Sequence, residues 1–525
     1  MTEGRPSAVV YVPPPEGGGP RVERPALVIT GASGFLGRHL VAALRDRYAI
    51  YAVARRSQAA AGVERHPHLT WFQADIGERE HVADVFRWLR RVPGRKTVIH
   101  LAAHYDFTGE KHPEYERTNV SGLRNVLEEC RALRPERFLF ASSVAACDFP
   151  PRGGALTEAS PPDGDHVYAA TKRYGERVLA RYADDFPSAI VRLAAMFSDW
   201  CEYPPLYVFL GTWLSDAWNR RILGGRGESA IPYLHVRCAV AFFERLLEMQ
   251  AELRPGEILV ASTDGSVSHR EAFEAATLAA TGARGQPMLM PRPLARAGLV
   301  TMDLAGRLLG RRPFERPWMG RYIDLRLAVD GRRTRERTGW SPHPRLDLLR
   351  RIPFLVENMQ SDPAEWHRRN LRAMKVGEVT PNLRLYHLVE KHEAEMIEAA
   401  IARLEAPAGA DAFPNYRKLA PDEVLWAKRQ LYLQLKNTIR TRDVGIFRAY
   451  CRHLAERRRA QGFPAEEVIG IVGSDRDACL AVLRAVPGAE TESSLREHVS
   501  MSFLVGIDEI AEVYEQAAGR APPPA

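Results

Sequence analysis

Tyr168 and Lys172 stand four apart in Tyr168-Ala169-Ala170-Thr171-Lys172, a spacing that puts both side chains on one face of a helix. An ammonium beside a phenol favours the phenolate and lowers the tyrosine pKa toward the working range, so Tyr168 could pass a proton to or from a substrate oxygen. Such pairs also arise by chance on helix surfaces, and the weight of this one comes from its company. Ser143 lies at the end of the apolar run Phe138-Leu139-Phe140-Ala141, where a parallel strand would deliver a hydroxyl into the crevice at the carboxyl edge of a sheet. There it could hydrogen-bond a reacting oxygen, although an isolated serine after a strand is usually a turn former. A third feature is Thr30-Gly31-Ala32-Ser33-Gly34-Phe35-Leu36-Gly37. It follows a short apolar run and opens a helical pattern, so Gly31, Gly34 and Gly37 permit a tight turn and close approach of a dinucleotide pyrophosphate. The helix N-terminus would supply free N–H groups and a positive dipole end.

The elements that must hold these groups follow from periodicity. Short apolar runs occur at Ala26 to Ile29, Ile50 to Val53, Thr97 to Ala102, Phe138 to Ala141 and Ala189 to Leu193. Helical patterns lie between them, as in Glu80 to Leu89, Val120 to Cys130 and Lys172 to Tyr182. This alternation predicts an α/β fold with a doubly wound, mostly parallel Rossmann sheet. A smaller substrate domain is expected after about residue 194, rich in aromatics and prolines and closing with a helix near Leu346 to Met359. Residues 363–525 lose the strand signal and keep amphipathic helical faces, through Leu385, Val389, Met396, Ala400 and Leu404 and again through Phe447, Tyr450 and Leu454, which predicts an α-helical bundle. Residues 1–24, with Pro13-Pro14-Pro15 and Gly17-Gly18-Gly19-Pro20, read as a structureless tail. The expected division is therefore a tail over 1–24, a nucleotide-binding and substrate unit over 25–362, and a helical domain over 363–525.

Composition narrows the class further. Of 525 residues, 45% are hydrophobic and 26% charged, as in ordinary folded domains. The net charge of +8 invites a nucleic-acid partner, yet the basic runs at 332–337 and 457–459 are broken by acids or sit in helical patterns, as solvated faces do. No nucleic-acid partner is expected. Six scattered cysteines without Cys-x-x-Cys spacing suggest reduced thiols and no metal site. No charged n-region leads into an apolar stretch and no run of about 18 apolar residues occurs, so no membrane partner and a cytoplasmic location are expected.

Together the site residues resemble the extended short-chain dehydrogenase/reductase family, also called the NAD-dependent epimerase/dehydratase family, over residues 26 to about 360. The match includes the glycine turn, Asp75-Ile76, Leu101-Ala102-Ala103, Asn119, Ser143, Tyr168, Lys172 and Tyr233-Leu234-His235-Val236. The resemblance implies a Ser/Tyr/Lys site with hydride transfer at a nicotinamide. Tyr168 would be the acid/base, Lys172 would hold the ribose and lower the tyrosine pKa, Ser143 would orient substrate, and Asn119 would support the proton path. Cofactor contacts would come from Gly31, Gly34, Phe35, Leu36, Gly37, Asp75, Ile76, Leu101, Ala102, Ala103, Tyr168 and Lys172. After the second strand, a carboxylate would accept from the ribose 2′-OH, whereas arginine pairs with a 2′-phosphate. Arg55, followed by Arg56, stands there, so NADP is expected, with NAD as the alternative.

Departures from the family pattern bear on substrate. Nucleotide-sugar members usually carry Arg-Pro-x-Asn after the catalytic helix's following strand and an arginine shortly before the Tyr-x-His-Val segment. Here the sequence reads Arg192-Leu193-Ala194-Ala195, and Arg226 is out of register. Dehydratases place an acid pair after the catalytic hydroxyl, where Val144-Ala145 stands here. The aromatics Trp200, Tyr203, Tyr207, Phe209, Trp213 and Trp218 suit either a ring-lined pocket or the core of the small domain. The expectation is an oxidoreductase acting on a small carbonyl or alcohol. The alternatives are an epimerase that keeps NAD bound and an NADP-responsive regulatory protein. Residues 420 to 475 faintly resemble the N-terminal helical bundle of stressosome co-antagonists, which would imply a dimerising or regulatory module; a homodimer and a regulatory partner for the C-terminal helices are compatible with it.

Overall fold

A run such as Ala26-Leu27-Val28-Ile29-Thr30 can be buried along its whole length only inside a sheet covered on both faces. The computed structural model describes residues 9–15, 24–308, 312–374, 381–441, 444–486 and 499–517. In it this run is a fully buried central strand. The strands of its sheet are β1 (Val10–Val12), β2 (Ala26–Thr30), β3 (Ala49–Ala54), β4 (Leu69–Gln73), β5 (Lys96–His100), β6 (Arg137–Ser143) and β7 (Ser188–Leu193), with Glu257–Ala261 completing it. Their spatial order is β1-β4-β3-β2-β5-β6-β7 and then Glu257–Ala261. The ladders are parallel except that of β1 with β4. The order reverses between β2 and β5, and at such a switch point the loops leaving the two strands part and open a crevice.

Helices cover both faces. On one, Leu36, Leu40 and Leu44 of α1 (Phe35–Leu44) pack with Phe242, Phe243 and Leu246 of the helix Val236–Glu248. On the other lie α2 (Arg79–Arg90), α3 (Leu123–Leu133) and α4 (Val167–Leu179), through Val85, Phe86, Val126, Leu127 and Val178.

The strand β1 corrects the expected tail. Val10, Tyr11 and Val12 favour the extended state and pair antiparallel with Gln73, Phe72 and Trp71. The Tyr11 ring sits 5.6 Å from Phe72 and 5.4 Å from Trp88. Residues 1–8 and 16–23 lie outside the described residues.

A smaller lobe is built on the helices Pro204–Trp213, His269–Thr281 and Leu348–Ser361, whose core includes Leu206, Trp213, Phe273 and Ile352. The helix Pro363–Ala373, expected beyond the boundary at 362, belongs with this lobe: Trp366 is buried in the same core. The chain divides into two compact units, Thr2–Val376 and Gly377–Ala525.

The described helices of the second unit share a core that includes Leu385, Leu404, Tyr432, Phe447, Val468 and Phe503. Within it the Lys428 ammonium and the Asp475 carboxylate meet at 2.5 Å, both almost fully buried. The Tyr432 hydroxyl donates to the Asp475 carbonyl at 3.1 Å. In the basic run at 457–459, Arg457 and Arg459 are exposed as a solvated face requires, whereas Arg458 is buried and donates to Glu423 and Gln461. No helix among the described residues is long and apolar enough to cross a membrane.

Removing one partner of a buried ion pair strands the other charge, at a cost of about 3–5 kcal/mol, whereas replacing both with apolar groups is often neutral. Lys428→Met therefore accelerates hydrogen exchange across residues 421–485 of the full-length chain, and adding Asp475→Leu restores protection. Slow exchange in the single variant would show that the pair contributes nothing.

Candidate active site

The glycine turn leaves β2 with its backbone against the loop after β5. Gly31 has φ +73°, and a Cβ there would lie 2.6 Å from the Ala102 nitrogen; one on Gly37 would lie 2.5 Å from the Gly31 carbonyl oxygen. Neither position accepts a side chain without moving backbone. Gly31 donates to the Val53 carbonyl at 2.9 Å and Gly34 to the Gly31 carbonyl at 2.9 Å. α1 then begins with Gly34 as its cap and no side chain bonded to its first amides, as an anion-binding helix start requires. Among the other residues assigned to the turn, Phe35 is partly exposed while Leu36 is buried in the core.

The remaining cofactor candidates fall around the same crevice. The Asp75 carboxylate is fully buried, accepting from the Gly77 amide at 2.9 Å and pairing with Arg117 at 2.7 Å. Ile76 packs against Gly122. Leu101 donates to the Thr30 carbonyl at 3.1 Å, which sets Ala102 beside the turn, with Ala103 next along the chain. Arg55 is held by Glu114 at 2.8 Å, whereas Arg56 reaches back to donate to the Ser33 carbonyl in the glycine turn.

Ser143, Tyr168 and Lys172 converge at the carboxyl edge. Ser143 is the last residue of β6, and its Oγ accepts from the Ala145 amide at 3.1 Å. Tyr168 and Lys172 share a face of α4, with Nζ 5.6 Å from the phenol ring centre. That ammonium donates to the Ala141 carbonyl at 2.6 Å. The phenol is hydrogen-bonded with Ser143. The expected lowering of the Tyr168 pKa by Lys172 is not the leading effect: burial pushes the phenol above its ordinary value, and the Ser143 hydrogen bond pulls the other way. The phenol therefore holds its proton at neutral pH.

Asn119 sits in a π-helical segment, Tyr115–Gly122, a wide turn often found at functional sites. Its side chain accepts from the His104 amide at 2.6 Å and donates to the His104 carbonyl and the Thr171 hydroxyl, both at 3.0 Å. It thus ties the loop after β5 to the helix carrying Tyr168.

That loop was not singled out from sequence. Tyr105 stacks on Tyr168 with centroids 4.2 Å apart and planes 19° apart. Phe107, in the left-handed region at φ 59°, lies 4.0 Å from Tyr105, 5.8 Å from Tyr203 and 6.1 Å from Phe314. Asp106 fastens the loop by accepting from the Tyr115 hydroxyl at 2.8 Å and the Thr108 amide at 3.1 Å. Trp318 donates to the Thr108 carbonyl at 2.8 Å. Of the aromatic run in the small lobe, Tyr203 faces this cluster, Phe209 and Trp213 stack on each other at 5.2 Å beside the lobe core, and Trp218 is 82% exposed.

With that geometry established, residues 27–262 match the NAD dependent epimerase/dehydratase family. This stretch belongs to that family. The chain is 24% identical over 346 residues to a 3β-hydroxysteroid-dehydrogenase/decarboxylase isoform 1 of Arabidopsis thaliana, covering 60% of this chain and 75% of that protein. It is also 24% identical over 197 residues to UDP-glucuronate 4-epimerase 4 of the same plant, covering 35% of this chain and 44% of that one. The chain thus spans less than half the length of the latter relative. The crystal structure of gox2253 covers 66% of this chain and 99% of its own, with 18% identity and a TM-score of 0.50, and shares its fold.

Trp318→Ala removes both the bond to Thr108 and the ring packed on Gly109. A buried hydrogen bond contributes about 1 kcal/mol and the lost packing adds to it. Amide exchange across residues 104–112 is therefore expected to quicken by about tenfold; an unchanged rate would mean that the loop is held from elsewhere.

Proposed function

We propose that this chain is an NADP-dependent oxidoreductase that interconverts a carbonyl and an alcohol on a small substrate of apolar or aromatic character. The observation that carries the reading is the convergence of Ser143, Tyr168 and Lys172 beneath a ring of aromatic side chains. The crevice fits a dinucleotide: the Gly31 and Gly37 cradles have no room for a Cβ, and the α1 amides carry no side-chain cap. A bound nicotinamide supplies or accepts the hydride.

The chain's own groups handle the rest. In carbonyl reduction Tyr168, protonated at neutral pH, donates its proton to the substrate oxygen, and the Ser143 hydroxyl donates a hydrogen bond that orients the same oxygen. The Lys172 ammonium stabilises the phenolate that develops. Asn119 fixes α4 against the loop after β5 and so sets the Tyr168 position. Tyr105, Phe107, Tyr203 and Phe314 exclude water and offer apolar surface to a substrate. The steroid-dehydrogenase name of one relative agrees with such a surface. The epimerase reading draws on the other relative's name. Against it, Arg226 lies on the exposed turn between Gly225 and Gly227, its amide held by Asp324 at 2.8 Å.

Tyr168→Phe is expected to lower kcat for reduction of apolar aldehydes and ketones by about 10²–10⁴-fold while NADPH binding, followed by fluorescence, is retained. Retained turnover would sink the mechanism, and racemisation of substrate without net absorbance change would favour the epimerase. Ser143→Ala removes the hydrogen bond that favours the phenolate. The Tyr168 pKa then rises further, and the midpoint of the rising limb for alcohol oxidation moves upward by about one pH unit. A downward move would reverse the assigned sign.

A further inference from the structure

Four arginines gather at the outer edge of the glycine turn, from three segments far apart in sequence. Arg38 follows the last glycine on α1. Arg56 follows β3 and donates to the Ser33 carbonyl. Arg372 ends the helix Pro363–Ala373 and donates to the Ala60 carbonyl at 2.6 Å. Its guanidinium faces Gly62, where an added Cβ would be 3.5 Å from Nη1. Arg368 lies one turn back on the same helix.

That helix is anchored so that Arg372 must arrive there. Asn370 accepts from the Glu202 amide at 2.7 Å and donates to the Trp200 carbonyl at 2.8 Å, Arg369 covers the Trp200 ring at 4.8 Å, and Trp366 is buried in the lobe core. Together these contacts carry the last turn over the loop 57–62.

Arg372 donates to a backbone carbonyl and meets no carboxylate at ion-pair distance among the described residues. Arg368 is paired with Glu365 at 2.6 Å, and Glu202 answers Arg38 at 3.4 Å while also accepting from the Ser198 hydroxyl at 2.6 Å. The Arg38 Nε is buried without a hydrogen-bond partner among the described residues. Burial and the charges of Arg38, Arg56 and Arg368 pull the Arg372 guanidinium down to about 10. Like charges drawn together beside an orphaned donor fit an anion of about two negative charges, and guanidinium forks match phosphate oxygens.

We propose that Arg38, Arg56 and Arg372 form the seat for the phosphate on the adenosine ribose of NADP, so that a helix outside the family-matched residues 27–262 sets the choice of dinucleotide. This rests on the NADP reading above and moves the phosphate contact from Arg55, which Glu114 holds, to Arg56 and its two companions. The place is right for it, because the ribose meets the chain after the second strand of a Rossmann sheet, beside the glycine turn.

The test is equilibrium binding of NADPH, NADH, adenosine 2′,5′-bisphosphate and 5′-AMP to the full chain, by fluorescence and calorimetry. Arg372→Ala is expected to weaken NADPH and the bisphosphate by about tenfold or more and to leave NADH and 5′-AMP within about twofold. Arg372→Lys should recover part of the loss. Arg56→Gln, on the loop and not the helix, should show the same selective loss, so instability of the helix variant leaves the idea testable. Equal weakening of NADPH and NADH would make Arg372 a strut and overturn the proposal. A wild-type preference for NADPH that survives both substitutions would also overturn it while leaving the NADP reading standing. A wild-type preference for NADH would remove the NADP reading itself.

Discussion

The approach of Gly31 to Ala102 is the constraint on which the first unit depends. Two parallel strands diverge there, and the backbones leaving them come so close that one methyl group would force them apart. The contact aims α1 into the crevice and sets the origin of the loop after β5. That loop reaches Tyr168 through Tyr105, while Asn119 ties its first turn to α4. The polar site and its aromatic cover are thus referred to one backbone contact, which explains how groups from six stretches of chain can hold positions within hydrogen-bonding tolerance.

Much of this was legible in the sequence, for a physical reason. The glycine turn, the Ser143 strand end and the Tyr168–Lys172 spacing are local patterns, in which a few neighbouring residues carry both the element and the candidate side chains. Doubly wound order follows from the alternation of runs and helical faces. The aromatic cover was not legible, because its members meet across long separations: Thr108 and Trp318 are 210 residues apart, and nothing in His104-Tyr105-Asp106-Phe107 signals a cap. The same holds for Arg372, which finds Ala60 across 312 residues.

Two local expectations were displaced by burial. The sequence places an ammonium beside a phenol and suggests a lowered pKa. In the folded chain burial of Tyr168 reduces its solvation enough to reverse that sign, and Lys172 donates a hydrogen bond to the Ala141 carbonyl. The aromatic run after residue 194 likewise divides by position and not by residue type: Tyr203 faces the site, Phe209 and Trp213 pack beside the lobe core, and Trp218 points to solvent. A chain boundary read at 362 cut off a helix whose composition is as polar as those that follow, although Trp366 gives it a place in the lobe.

The antiparallel strand at the margin has a consequence of another kind. A long parallel strand at the border of a sheet offers a row of unpaired amides and carbonyls on which a foreign chain can template itself. Here β4 is covered, and the outermost ladder is three residues long, flanked by Pro13 and weighted by aromatic packing on its inner side. So short a margin gives an invading strand too few bonds to hold, and a segment that reads as a structureless tail shields the β4 edge from edge-to-edge aggregation.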